Sequence, residues 1–121
     1  MSGRKKQDLL NGIKKPYLTA KLIACSTLHI EYCNKTIAIR YHDTDVITFG
    51  NNYIILNSGG FRTKTTKKRI NQHLGHLQFS AYARNGSWFV KTPKGVYEFY
   101  DGIIFDVHGT LISEEKKSDK K

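Results

Sequence analysis

Between Ser58 and Asn71 the chain reads S-G-G-F-R-T-K-T-T-K-K-R-I-N, two adjacent glycines followed by hydroxyls at Thr63, Thr65 and Thr66 and cations at Arg62, Lys64, Lys67, Lys68 and Arg69. These residue types suit the recognition of phosphate. Where a Gly-Gly turn follows a strand and opens a helix, backbone N–H groups and the positive end of the helix dipole can hold an anion. Gly59 and Gly60 allow the backbone conformations of a concave nest, and Ser58 and the threonines add donors. The charges sharpen the expectation. Lys67, Lys68 and Arg69 fall in the first turn of the expected helix, where each cation opposes the dipole by about 0.3–1 kcal/mol. No acidic residue lies between Ser58 and Tyr97, so a bound phosphate would offset that cost. The segment is neither a Walker loop, which needs G-x-x-x-x-G-K-[ST], nor a dinucleotide fingerprint. A plain structural role stays open, with Gly-Gly for turn geometry, Thr for capping and Lys for solubility.

A second group of residues could meet bases. Asn85-Gly86 signals a two-residue type I′ hairpin, whose register pairs Ala83 with Trp88 and Ala81 with Val90 on one face, and Tyr82 with Phe89 and Ser80 with Lys91 on the other. That second face interleaves Tyr82 and Phe89 with Arg84 and Lys91, and the following strand is expected to add Tyr100. Unpaired bases stack on such mixtures. The alternative is that the face is covered and its aromatic residues belong to the core.

His42, Asp43, Thr44 and Asp45 form the densest titratable cluster. A histidine near cations can cleave phosphodiesters without metal, acting as general base or acid while Lys or Arg stabilises the phosphorane charge. His42 with Arg69 or His73 is the candidate pairing, against the ordinary alternative of an Asx-capped turn. His73 and His76 lie three apart on the expected helix without an acidic or cysteine neighbour, so neither a metal nor another cofactor is expected. Cys25 and Cys33, eight residues apart, lack C-x-x-C spacing and read as reduced thiols packed on strands.

The elements that must position these residues follow from periodicity. Ile70, Leu74 and Leu77 recur at the spacing of one apolar stripe, predicting a helix from Thr65 or Thr66 to about Leu74 with Lys68, Arg69, Gln72 and His76 on its outer side. Short β-rich segments separated by Gly, Asn and Asp predict strands at 18–25, 28–33, 36–41, 45–49 and 53–57 before the helix. After it they fall at 77–84, 87–91, 96–100, 103–107 and 110–112. The expected fold class is α+β, a mainly antiparallel twisted sheet or small partly open barrel with one central amphipathic helix. The segments from Asp45 and from Gly102 echo one another in hydrophobic order, as two similar hairpins would.

At 121 residues the chain is expected to fold as one domain over 17–112. A basic N-terminal tail over 1–16 and a charged C-terminal tail over 113–121 are expected to be solvated. The formal charge of +10 points to a polyanionic partner. The absence of an eighteen-residue apolar run and of an apolar signal core predicts a cytoplasmic protein with no membrane partner.

H-D-T-D-V-I-T-F from His42 followed by I-L-N-S-G-G-F-R-T-K-T-T-K-K-R-I-N from Ile55 resembles a family of small bacteriophage-encoded proteins. Its pattern has a His-x-Thr opening, an L-N-S-G-G with an aromatic residue, here Phe61, and T-x-T-T-K-x-R-I-N. The resemblance spans His42 to Asn71 and implies a phage accessory or host-takeover role. The leading expectation is a nucleic-acid-binding module, for DNA or RNA, that uses the Ser58–Arg69 segment. The alternatives are a host-directed inhibitor or nucleotide-signal-binding anti-defence protein, and a metal-independent nuclease.

Overall fold

A computed structural model describes residues 6–60 and 62–113 of the chain. Apolar residues alternating along short segments, broken by left-handed turn residues such as Asn52, Asn85 and Gly86, fold the chain into successive hairpins. Strands β1 (Tyr17–Ala24), β2 (Thr27–Tyr32), β3 (Ile37–Tyr41), β4 (Thr44–Phe49) and β5 (Tyr53–Leu56) form a meander, closed at its far side by β9 (Ile103–Asp106). Strands β6 (Ser80–Arg84), β7 (Ser87–Thr92) and β8 (Gly95–Glu98) make a second, three-stranded sheet. All pairings are antiparallel. The fold class is therefore α+β with open sheets, as the sequence predicts. The expected strand at 110–112 reduces to a single bridge between Leu111 and Phe105. Both echoing segments turn back antiparallel, the first as the β4–β5 hairpin and the second, much shorter, through the Phe105–Leu111 bridge, and β5 and β9 lie side by side.

Helix α2 (Lys64–Leu74) and a 3-10 turn (Gly75–Leu77) link the two sheets. Ile70 and Leu74 are buried in one core with Ile39, Ile47, Leu56 and Phe105 of the large sheet and Trp88 and Val90 of the small one. The opposite face of the large sheet carries a second cluster, Leu28, Ile30, Tyr32 and Ala38, which needs a cover of its own. Helix α1 (Lys6–Leu10) supplies it, with Leu9 fully buried, and Arg40 Nη2 donates to the Gly12 carbonyl at 2.9 Å. The described part of the expected N-terminal tail is thus docked rather than solvated, because the β2–β3 apolar face would otherwise meet water. Residues 1–5 and 114–121, with the remainder of both expected tails, lie outside the described residues.

Cys25 and Cys33 are free and exposed. Both sit in turns at the two ends of β2, not packed on strands as the sequence suggests.

Candidate functional site

Ser58 lies two residues past the end of β5 and Asp101 two residues before the start of β9, so the pairing of Leu56 with Ile103 brings them together. The Ser58 N–H and hydroxyl both donate to Asp101 Oδ1, at 2.8 and 2.7 Å. Gly59 N–H donates to Asn57 Oδ1 at 2.8 Å and Gly60 N–H to Ser58 Oγ at 3.2 Å. The donors expected to cradle a phosphate are therefore satisfied within the chain, and the anion at this turn is the protein's own carboxylate. Gly59, at φ +66°, also lies so close to Thr44 that an added Cβ would fall 2.0 Å from its Oγ1. Gly59 serves a tight approach between the start of β4 and the entry to α2, whereas Gly60, at φ +86° with open space around it, serves only the backbone turn. Asp101 and Gly102 fall between the strands expected at 96–100 and 103–107, and nothing in the sequence signals the partner of Asp101 across the sheet.

Thr63 caps α2, its Oγ1 accepting from Thr66 N–H at 3.2 Å, so the helix begins at Lys64, ahead of the predicted start at Thr65 or Thr66. Thr66 is buried, Thr65 partly buried, and Phe61 lies outside the described residues. The cations divide into two sets. Arg69 is 8% exposed, with Nε donating to Thr27 Oγ1 at 2.9 Å, Nη1 to Gln72 Oε1 at 3.2 Å and Nη2 to the Cys25 carbonyl at 3.5 Å. Its guanidinium also lies 5.8 Å from the Tyr41 ring. The expectation that Arg69 faces outward toward phosphate fails because it ties α2 to the β1–β2 turn. Lys64 and Lys68 are exposed and Lys67 half-buried. Lys67 Nζ stands 5.5 Å over Trp88, and the exposed Arg62 lies 5.2 Å from Phe99 and 5.9 Å from Trp88. These aromatic faces partly offset the cost of cations at the positive end of the dipole.

The exposed lysines border a groove of about 680 Å³ between α2 and β6. Lys64, Lys67, Lys68 and Gln72 form one wall, and Ala81, Tyr82 and Ala83 the other. Asn71 holds the walls together: its Nδ2 donates to the Ala81 carbonyl at 3.0 Å and its Oδ1 accepts from Ala81 N–H at 2.7 Å, taking up the β6 edge as a neighbouring strand would. Beyond the groove the hairpin has the predicted register and a type I′ turn, with Asn85 and Gly86 at φ +53° and +82°. Tyr82 and Phe89 stack with centroids 5.6 Å apart and planes inclined by 26°. Both are half-exposed, and Arg84 and Lys91 beside them are exposed. Tyr100 does not join this face. It packs on the main core, its hydroxyl paired with Ser113 Oγ. Glu98 stands opposite Phe89 and bounds the cationic surface on that side.

His42 lies across a separate pocket of about 390 Å³ from Ser58, Thr63 and Thr66. Its backbone is left-handed at φ +56°, and its ring sits edge-on to Tyr41 at 4.4 Å. Arg69, one proposed partner in phosphodiester cleavage, is engaged with Thr27 as described above. His73, the other, has its pKa lowered first by burial and then by the charges of Arg69, His29 and His76. Asp45 is occupied by Arg40 Nη1 and the Tyr32 hydroxyl, both at 2.7 Å, and burial followed by Asp45 raises the Tyr32 pKa. Asp45 thus supports the sheet rather than any chemistry at His42. Among the described residues no three histidine, cysteine or acidic side chains gather as a metal site.

Residues 6–106 match the family described as Kyanoviridae Gp96 protein. The chain belongs to this family. It is accordingly a bacteriophage-encoded protein, and the Gp96 match takes in α2, the groove and the whole second sheet. No curated protein and no solved structure matches the chain. Among the described residues no helix is long and apolar enough to cross a membrane.

Proposed function

We propose that this phage protein binds nucleic acid, DNA or RNA, in the groove between α2 and β6, as an accessory factor acting in the host. The observation that carries the reading is the placement of Lys64, Lys67 and Lys68 on one wall of a groove whose other wall carries Tyr82. Phosphates would run along the lysines while a base meets Tyr82, and the strand could continue over Phe89 beside Arg84 and Lys91. The aromatic component favours a single strand, whose bases are free to stack. The formal charge of +10 would speed encounter with the polyanion. Ser58, Gly59 and Gly60 set the helix entry and make no contact with the ligand in this arrangement.

The test is fluorescence anisotropy with labelled single-stranded and duplex DNA and RNA over a range of salt. Binding should weaken steeply with salt through counterion release, and single strands should be preferred. Lack of binding to all four at low salt ends the proposal.

A second reading rests on the pocket beside His42, whose volume of about 390 Å³ falls within the range of small-ligand sites. A compact nucleotide held by His42, Thr44 and Thr63, which line this pocket, would make the protein a sink for a nucleotide signal. Thermal stabilisation by mono- or cyclic nucleotides, undiminished in a variant lacking the groove lysines, supports that reading over the first.

A further inference from the structure

Among the described residues strand β1 is the open edge of the large sheet, whereas the outer side of β9 at the other end takes the bridge to Leu111. Tyr17, Leu18, Leu22 and Ile23, all on β1, are 39, 62, 43 and 38% exposed. Unpaired strand edges are normally blunted by charge, proline or bulges, and β1 has Lys21 as its sole charged residue and no proline. Bulges occur at Leu18 and Ile23, leaving Thr19–Leu22 as regular strand between two apolar residues. Ala20 packs on the cluster under α1, and Leu22 lies opposite Leu28 of that cluster, so the exposed leucine continues a buried apolar face.

We propose that β1 pairs with β1 of a second copy of this chain, antiparallel, about a two-fold axis at Ala20. The strand reads Y-L-T-A-K-L-I from Tyr17, a hydropathic palindrome centred on that residue. In this register Leu18 faces its partner's Leu22, Thr19 its partner's Lys21, and Tyr17 its partner's Ile23. Charge is complementary too. Thr19 pairs with the exposed Glu31 on β2, so each Lys21 comes beside a Thr19 whose next neighbour is an acid, twice per dimer. An isologous contact of this kind is self-limiting and leaves no free β1 edge.

Sedimentation of the nuclease-treated full chain across a wide concentration range tests the pairing. A reversible monomer–dimer equilibrium is expected. Leu18→Lys alone and Leu22→Glu alone should each shift it to monomer with unchanged circular dichroism, because both side chains are exposed in the protomer. The double variant Leu18→Lys with Leu22→Glu should restore the dimer, since the register sets the new lysine against its partner's new glutamate. A wild-type monomer at every concentration overturns the proposal. So does a dimer indifferent to Leu18→Lys, a failure of the double variant to rescue, or a monomer copurifying with another polypeptide on this edge.

Discussion

Ser58 gives both its N–H and its hydroxyl to one oxygen of Asp101, 2.8 and 2.7 Å away. The bond joins the entry of α2 to the last strand of the large sheet and fixes where the helix begins. Asp101→Ala removes a charged acceptor from a buried serine and should cost about 2 kcal/mol of stability, read as a lower urea midpoint at unchanged m-value. Affinity for single-stranded oligonucleotides should be no lower, because one negative charge has been lost. A fall in affinity for the folded variant would return the turn to the ligand site.

Arg69→Met keeps the length of the side chain while deleting its bonds to Thr27, Gln72 and Cys25. A loss of about 1–3 kcal/mol is expected, seen as a Tm lower by several degrees, with oligonucleotide affinity retained below the transition. A stable variant with weakened binding would place Arg69 among the contacts.

Local rules carried the sequence far where the controlling interactions were local. The Asn85-Gly86 turn fixed the pairing of Tyr82 with Phe89, and the Ile70–Leu74 stripe identified the buried side of α2. What escaped were relations across the sheet. Asp101 meets Ser58 through the β5–β9 pairing, 43 residues apart in sequence. Counting from Ile70 puts Arg69 on the outward side, but Thr27 and the Cys25 carbonyl stand there in place of water. Leu9, in a segment dominated by charge, is buried because β2 and β3 leave an apolar face on the side away from α2. The groove itself joins two features that the sequence offered separately, the lysines and the aromatic hairpin. Asn71 links them.

Burial, with Arg69 next, lowers the His73 pKa below its ordinary value of 6.5. The folded protein therefore resists a proton that the unfolded chain accepts. The stability contributed by neutral His73 is full above about pH 6.5 and is lost progressively as pH falls toward the lower folded value. Tm should decline on acidification below about pH 6.5, and His73→Gln should flatten part of that decline. An identical pH profile in the variant would contradict the assignment. His29, His76 and Arg69 are the charged or titratable groups acting on His73.

Tyr82→Ala should weaken binding to single strands by about 1–3 kcal/mol while sparing the salt dependence, since stacking is neutral. Loss of the single-strand preference, read by comparing matched single-stranded and duplex oligonucleotides, accompanies it. Unchanged discrimination would remove the base from this wall of the groove.

The most direct measurement is the salt dependence of single-stranded oligonucleotide binding in the wild type and in the variant Lys64→Ala, Lys67→Ala, Lys68→Ala. Each lost phosphate contact lowers the slope of log affinity against log salt by about 0.7, so the three together should lower it by roughly 2 without loss of fold. Equal slopes and equal affinities in the two proteins would contradict the placement of nucleic acid in the α2–β6 groove.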